Sequence, residues 1–157
     1  MRARFSLSRV LASFLSFAAL AVVAGCHNDD VTSANGALAR LTIDVPDNAT
    51  TGQSFDVHVT AQAIGVQNIQ NGLVTVTLPS PLRVLSLNAE SGTSATFSGS
   101  TVTWNLGVLD SNSQSELTIT AMGVTNTQTN LTVDAQMTAT GINAGDAVAT
   151  DTVTLNP

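Results

Sequence analysis

Few side chains in this 157-residue chain can do covalent or acid–base chemistry. There are two His (His27, His58), two Glu (Glu90, Glu116), one Cys (Cys26) and no Lys or Tyr. A catalytic nucleophile needs a base within hydrogen-bond reach and a third group to orient that base. This inventory supplies no such set, and no Gly-x-Ser-x-Gly elbow is present, so the chain reads as non-enzymatic. His58 lies between Val57 and Val59, on the polar side of an alternating run, where an exposed or cross-strand-paired imidazole is expected. His27 with Asp29 and Asp30 lacks the fourth partner that a metal centre needs. Asp44, Asp47, Asn48 and Asp56 group around the first turn and offer hard oxygen ligands to calcium. Their spacing fits no calcium loop, and Asp and Asn favour turns anyway by bonding nearby backbone. They stand as weak calcium candidates, and no cofactor is expected. Phe55, Phe97 and Trp104 are the aromatics after residue 26, and each falls on the apolar side of its run. That predicts core roles for all three, not a sugar-stacking platform.

The charge pattern excludes another class. Arg2, Arg4 and Arg9 sit at the start of the chain, which leaves Arg40 and Arg83 against all eleven acidic residues. No basic patch can be built from two Arg, so nucleic acid is not a partner.

The chemistry of Cys26 depends on what precedes it. Met1 to Arg9 carries three Arg and no acid, and Val10 to Gly25 is apolar apart from small Ser13 and Ser16. These are the n-region and h-region of a secretory signal. At about 16 residues the apolar run is shorter than the roughly 20 that a spanning helix needs. It ends Val23-Ala24-Gly25-Cys26, which resembles the lipobox of bacterial lipoproteins: an aliphatic residue, two small ones, then cysteine. The resemblance implies transfer of a diacylglyceryl group to the Cys26 thiol, cleavage between Gly25 and Cys26, and acylation of the new amino group by a palmitate-type chain. Each buried methylene contributes about 0.8 kcal/mol, so two or three chains would anchor the protein stably in a lipid bilayer. With its one thiol committed to lipid, the fold must do without disulfides. Lipoproteins with Asp after the cysteine tend to stay at the inner membrane; His27 stands there instead, which implies the outer membrane where two membranes exist. Residues 26–36 are small, polar and aperiodic, as expected of a lipidated cysteine and flexible tether.

From Ala37 to Pro157 apolar and polar residues alternate. Phe55, Val57, Val59 and Ala61 alternate with Asp56, His58 and Thr60, and Val74, Val76 and Leu78 with Thr75 and Thr77. The runs at Leu41–Val45, Val102–Leu106, Leu117–Ala121 and Leu131–Met137 repeat the pattern, with Thr on most opposite faces. Leu82–Leu87, Ala95–Ser98 and Ala147–Leu155 are further strand candidates. Turn signals separate them at Pro46-Asp47-Asn48, Asn71-Gly72, Pro79-Ser80-Pro81, Ser91-Gly92, Ser98-Gly99-Ser100, Asp110-Ser111-Asn112 and Gly141 to Gly145. No helical stripe with caps occurs after residue 26. The fold class is therefore all-β, an antiparallel β-sandwich of about eight or nine strands over residues 37–157, following a cleaved signal helix at 1–25.

The segment Thr101-Val102-Thr103-Trp104-Asn105-Leu106-Gly107-Val108-Leu109, the polar turn Asp110 to Ser115 and the strand Leu117-Thr118-Ile119 resemble the prokaryotic surface-protein repeat known as domain of unknown function eleven. Leu78-Pro79 fits its Leu-Pro element, and the resemblance covers roughly Val45 to Val124. It implies an immunoglobulin-like sandwich of the cell envelope. A Thr- and Asn-rich sandwich with few charges can bind through a sheet edge or loops without any side-chain signature. The expected function is a membrane-anchored binding or scaffolding module for another envelope component, as a monomeric domain. The rival is a structural filler without ligand, and a calcium- or carbohydrate-binding module comes third.

Overall fold

The computed structural model describes residues 31–34 and 37–157. The expected signal segment, Gly25, Cys26 and His27 lie outside the described residues. Eleven strands follow one another: β1 (Val31–Ala34), β2 (Ala37–Asp44), β3 (Asn48–Thr50), β4 (Ser54–Ile64), β5 (Ile69–Thr77), β6 (Leu82–Ala89), β7 (Ser94–Ser98), β8 (Thr101–Leu109), β9 (Gln114–Gly123), β10 (Thr129–Ala139) and β11 (Ile142–Asn156). All nine strands expected from alternation are present. The additional β1 and β3 are short and lack an alternating apolar face. β1 pairs antiparallel with β2, Val31 opposite Arg40, so the ladder extends into the segment expected to be a tether.

The strands form two sheets, one in the order β1-β2-β4-β9-β6 and the other β3-β11-β10-β5-β8-β7. Neighbours pair antiparallel except β3, which runs parallel to the end of β11. The inward positions of both sheets meet in one core. Leu41, Ile43, Val57, Val59, Leu117 and Ile119 come from the first sheet; Val74, Val76, Val102, Trp104, Val133 and Leu155 come from the second. All are buried, and burying such side chains at about 25 cal/mol per Å2 is what holds a disulfide-free sandwich together.

Two turn expectations need correction. Asn71-Gly72 does not end a strand: β5 runs through it, and the register with β8 shifts on both sides of Gly72. Asn71 takes φ 56°, and a Cβ on Gly72 would sit 3.1 Å from Leu106 Cβ, so this pair builds a bulge. At the other site the turn contracts to Thr140-Gly141, with Gly141 at φ 82°, because Ile142 already pairs with Ala139 and starts β11. By contrast Gly99-Ser100 makes the expected tight hairpin, with Ser98 paired to Thr101.

Core side-chain size explains the shape of the sandwich. Ala39 of β2, Ala61 and Ala63 of β4, and Ala147 and Ala149 of β11 are all buried, and such small residues let the sheets approach on that flank. Here β2 and β11 come within 8 Å between Cα atoms. Asp151 joins the sheets, accepting a 2.8 Å hydrogen bond from Val45 N–H and another of 2.8 Å from Thr152 N–H. The opposite flank is bounded by β6 and β7, terminal strands of different sheets that do not pair with each other.

Candidate functional site

The fold puts Asp44, Asp56 and His58 on the outer face of the first sheet and leaves Asp47 in the turn. Asp44 is exposed at the end of β2 and stands opposite His58 of β4. Asp47 lies in the turn, where its carbonyl accepts from Thr154 N–H at 2.9 Å. Asn48 Oδ1 lies 3.4 Å from Asn156 Nδ2, at the other side of the β3–β11 ladder. Asp56, two residues before His58, accepts a 2.8 Å hydrogen bond from Thr120 Oγ1. The three acids thus occupy a strand end, a turn and a second strand. Among the described residues no group of three or more His, Cys, Asp and Glu is placed to hold a metal ion. His58 is exposed, with Thr118 Oγ1 3.4 Å from its Nδ1.

Trp104 is fully buried, as its place in the alternation predicts. Its indole N–H donates to Thr93 Oγ1 at 3.0 Å, and that hydroxyl donates to the Glu90 carbonyl at 2.8 Å. Phe55 is partly buried against the core. Phe97 departs from expectation: it is 48% exposed, although it lies on the core-facing side of β7 opposite buried Val102. The reason is lateral position. β7 is the last strand of its sheet, so beyond Phe97 there is no further strand to cover it.

Phe97 draws attention to the flank that contains it. Across from β7, β6 carries a bulge between Val84 and Ser86, and Leu85 within it is also 48% exposed. The two half-exposed apolar side chains lie on the adjacent edge strands β6 and β7, which the Glu90–Thr93 turn joins. β7 has no Pro, charge or bulge, and its five residues pair in unbroken register with β8. Those are among the devices that blunt a sheet edge, and without them this short strand leaves its outward backbone N–H and C=O groups available. Neither β5 nor β8, the next strands inward, contains a charged residue. Arg83 lies near the start of β6, and Glu90 follows its last residue.

Among the described residues, concavities also lie away from this flank. A shallow groove of about 350 Å3 on the outer face of the second sheet is lined by Thr75, Thr77, Asp134, Gln136, Val148 and Thr150, with no aromatic to stack a sugar ring. A cavity of about 230 Å3 at one end of the sandwich is bordered by Glu90, Thr93, Asp110, Gln114 and Ser115. Thr75, Thr118 and Thr132 face outward, as expected.

Neither a protein-family model nor a curated protein sequence matches the chain. Solved structures do. The CARDB domain of the PF1109 protein from Pyrococcus furiosus, solved in complex with di-metal ions, superposes with a TM-score of 0.55 at 16% identity, over 79% of this chain and 92% of that one. A cohesin module from a family 33 glycoside hydrolase of Clostridium perfringens gives 0.57 at 12% identity, over 81% of this chain and 98% of that one. A type I cohesin–dockerin complex from Clostridium thermocellum gives 0.53 at 11% identity, over 74% of this chain and 99% of that one. The chain is an immunoglobulin-like β-sandwich of the shape that CARDB and cohesin modules share.

Proposed function

We propose that this protein is a non-enzymatic module of the cell envelope that binds or scaffolds another surface component through the flank formed by β6 and β7. The observation that carries the reading is β7: a regular, uncharged sheet edge with Phe97 half exposed beside it. Strand addition to such an edge takes affinity from main-chain hydrogen bonds and specificity from the alternate side chains. One of the similar structures is a cohesin in complex with a dockerin, which supports a docking role for a sandwich of this shape. The reading includes a lipid anchor at Cys26 after cleavage at Gly25, with placement at the outer membrane, on the strength of Val23-Ala24-Gly25-Cys26 and His27. It also keeps kinship with the domain-eleven surface repeat, carried by Thr101–Leu109 and Leu117-Thr118-Ile119.

Photo-crosslinking in membranes tests it. Probes at Leu85 and Thr96, on the flank, should give a discrete protein adduct, while probes at Thr75, Thr118 and Thr132 on the outer faces should not. Adducts from the outer faces alone would move the binding surface, and no adduct from any position would favour the structural filler.

A further inference from the structure

We propose that the occupant of the β7 edge is β7 of a second copy of this chain, paired antiparallel about a two-fold axis at Thr96. The inference rests on the reading of the flank given above and names its partner. Three observations carry it.

The first is hydrogen-bond geometry. Gly99-Ser100 is a two-residue turn, so Ser98 and Thr101 form its hydrogen-bonded closing pair, and bonding alternates from there along the ladder. Ser94, Thr96 and Ser98 thus bond to β8, while Ala95 and Phe97 turn their N–H and C=O groups to the open side. With the axis at Thr96, Ala95 of one copy lies opposite Phe97 of the other, and these are the residues with free backbone groups on both sides. Thr96 meets itself as the close, non-hydrogen-bonded pair.

The second is side-chain fit. The same register sets the half-exposed Phe97 ring against small Ala95 of the second copy, twice over. Each large apolar group finds a small neighbour, where a register shifted so that Phe97 met Phe97 would crowd the flank.

The third is charge. Two acidic copies repel, but no charged residue occurs from Ser91 to Leu109, so the strands at this joint bring no like charges together. The nearest acid along the chain, Glu90, turns its carboxylate away toward β9, where Oε2 accepts from Glu116 N–H at 3.2 Å. A five-residue edge is short, so the pairing belongs to the weak, transient class. The expectation of a monomeric domain gives way to that of a dimer populated where copies are crowded.

The test uses the full chain carrying Cys26→Ser, in detergent, with Thr96→Cys added. In a non-hydrogen-bonded antiparallel pair the Cα atoms are about 4.5 Å apart, within disulfide range. Mild oxidation should give a disulfide dimer from Thr96→Cys, and none from exposed Thr132→Cys. Ser94→Cys should crosslink to Ser98→Cys when the two proteins are mixed, but to itself hardly at all. Thr96→Lys should weaken association by roughly fivefold, the cost of like charges directly opposed across a ladder, and mixing Thr96→Lys with Thr96→Glu should restore it. Equal disulfide yield from Thr96→Cys and Thr132→Cys overturns the pairing. So does a membrane adduct from the flank whose mass is not twice that of the chain: the docking flank then stands with a different partner. Absence of any flank adduct sinks both readings.

Discussion

Trp104 shows what one residue asks of its surroundings. Its ring is fully buried, so its N–H needs a partner, and Thr93 in the turn before β7 supplies one. Thr93→Val keeps the shape and removes the acceptor. Leaving a buried donor unpaired should cost about 1–3 kcal/mol, read as a lowered urea midpoint in Trp104 fluorescence; Thr93→Ser should recover most of it. Alternation along β8 was enough to bury Trp104 from the sequence, but not to find Thr93, which reaches it across a turn. Asp151 was invisible for the same reason. Its partner Val45 is 106 positions away, and no local pattern links them. At Cys26 the proposed lipidation rests on the sequence alone. Fatty-acid labelling should mark the wild-type chain and leave Cys26→Ser unlabelled and uncleaved; equal label in both would end the lipoprotein proposal.

Among the elements, each long strand declared itself through a period of two, since one face must be apolar when only one face is buried. What alternation cannot reveal is where a strand sits within its sheet. β7 and β8 have the same pattern, yet Val102 is buried and its cross-strand partner Phe97 is half exposed, because β8 has neighbours on both sides and β7 on one. Asn71-Gly72 read as a turn because the same φ freedom serves turns and bulges alike. Close approach between elements gives a further test at Gly123, at the end of β9. A methyl there would clash with the end of the Leu155 side chain, far closer than van der Waals contact allows, and Leu155 is fully buried, with little room to retreat. Gly123→Ala should therefore destabilise by about 1–3 kcal/mol, the usual cost of overpacking, seen as a lower Tm. A neutral result would mean that the two sheets yield at this end.

At the scale of the whole molecule, alanines draw the sheets together at β2 and β11, while the β6–β7 side is left as two unpaired edges. The proposed docking role rests on that shape, and it is expected to need no metal. A chelator should leave Tm unchanged, since any ion bound to the native state would add about RT ln(1 + [L]/Kd) to stability. A fall that calcium reverses would make ligands of Asp44, Asp47 and Asp56. The division of labour between flanks gives the final prediction. In the first sheet β1 and β6 are opposite edges, so the segment arriving from Cys26 enters on the side away from the proposed docking edge. The buried apolar core among the residues whose burial is described begins at Ala39; β1 forms four cross-strand pairs with β2 and also comes within 8 Å of β11 between Cα atoms. At about 0.2–1 kcal/mol per pair, a chain starting at Ala37 should be roughly 1–4 kcal/mol less stable than one starting at Val31. It should still unfold cooperatively, with blue-shifted Trp104 emission beforehand. Because β7 is untouched, the Thr96→Cys disulfide should form equally well in both. Loss of cooperative unfolding in the shorter chain would place the domain boundary before residue 37. Loss of the disulfide with folding intact would show that the two flanks are coupled.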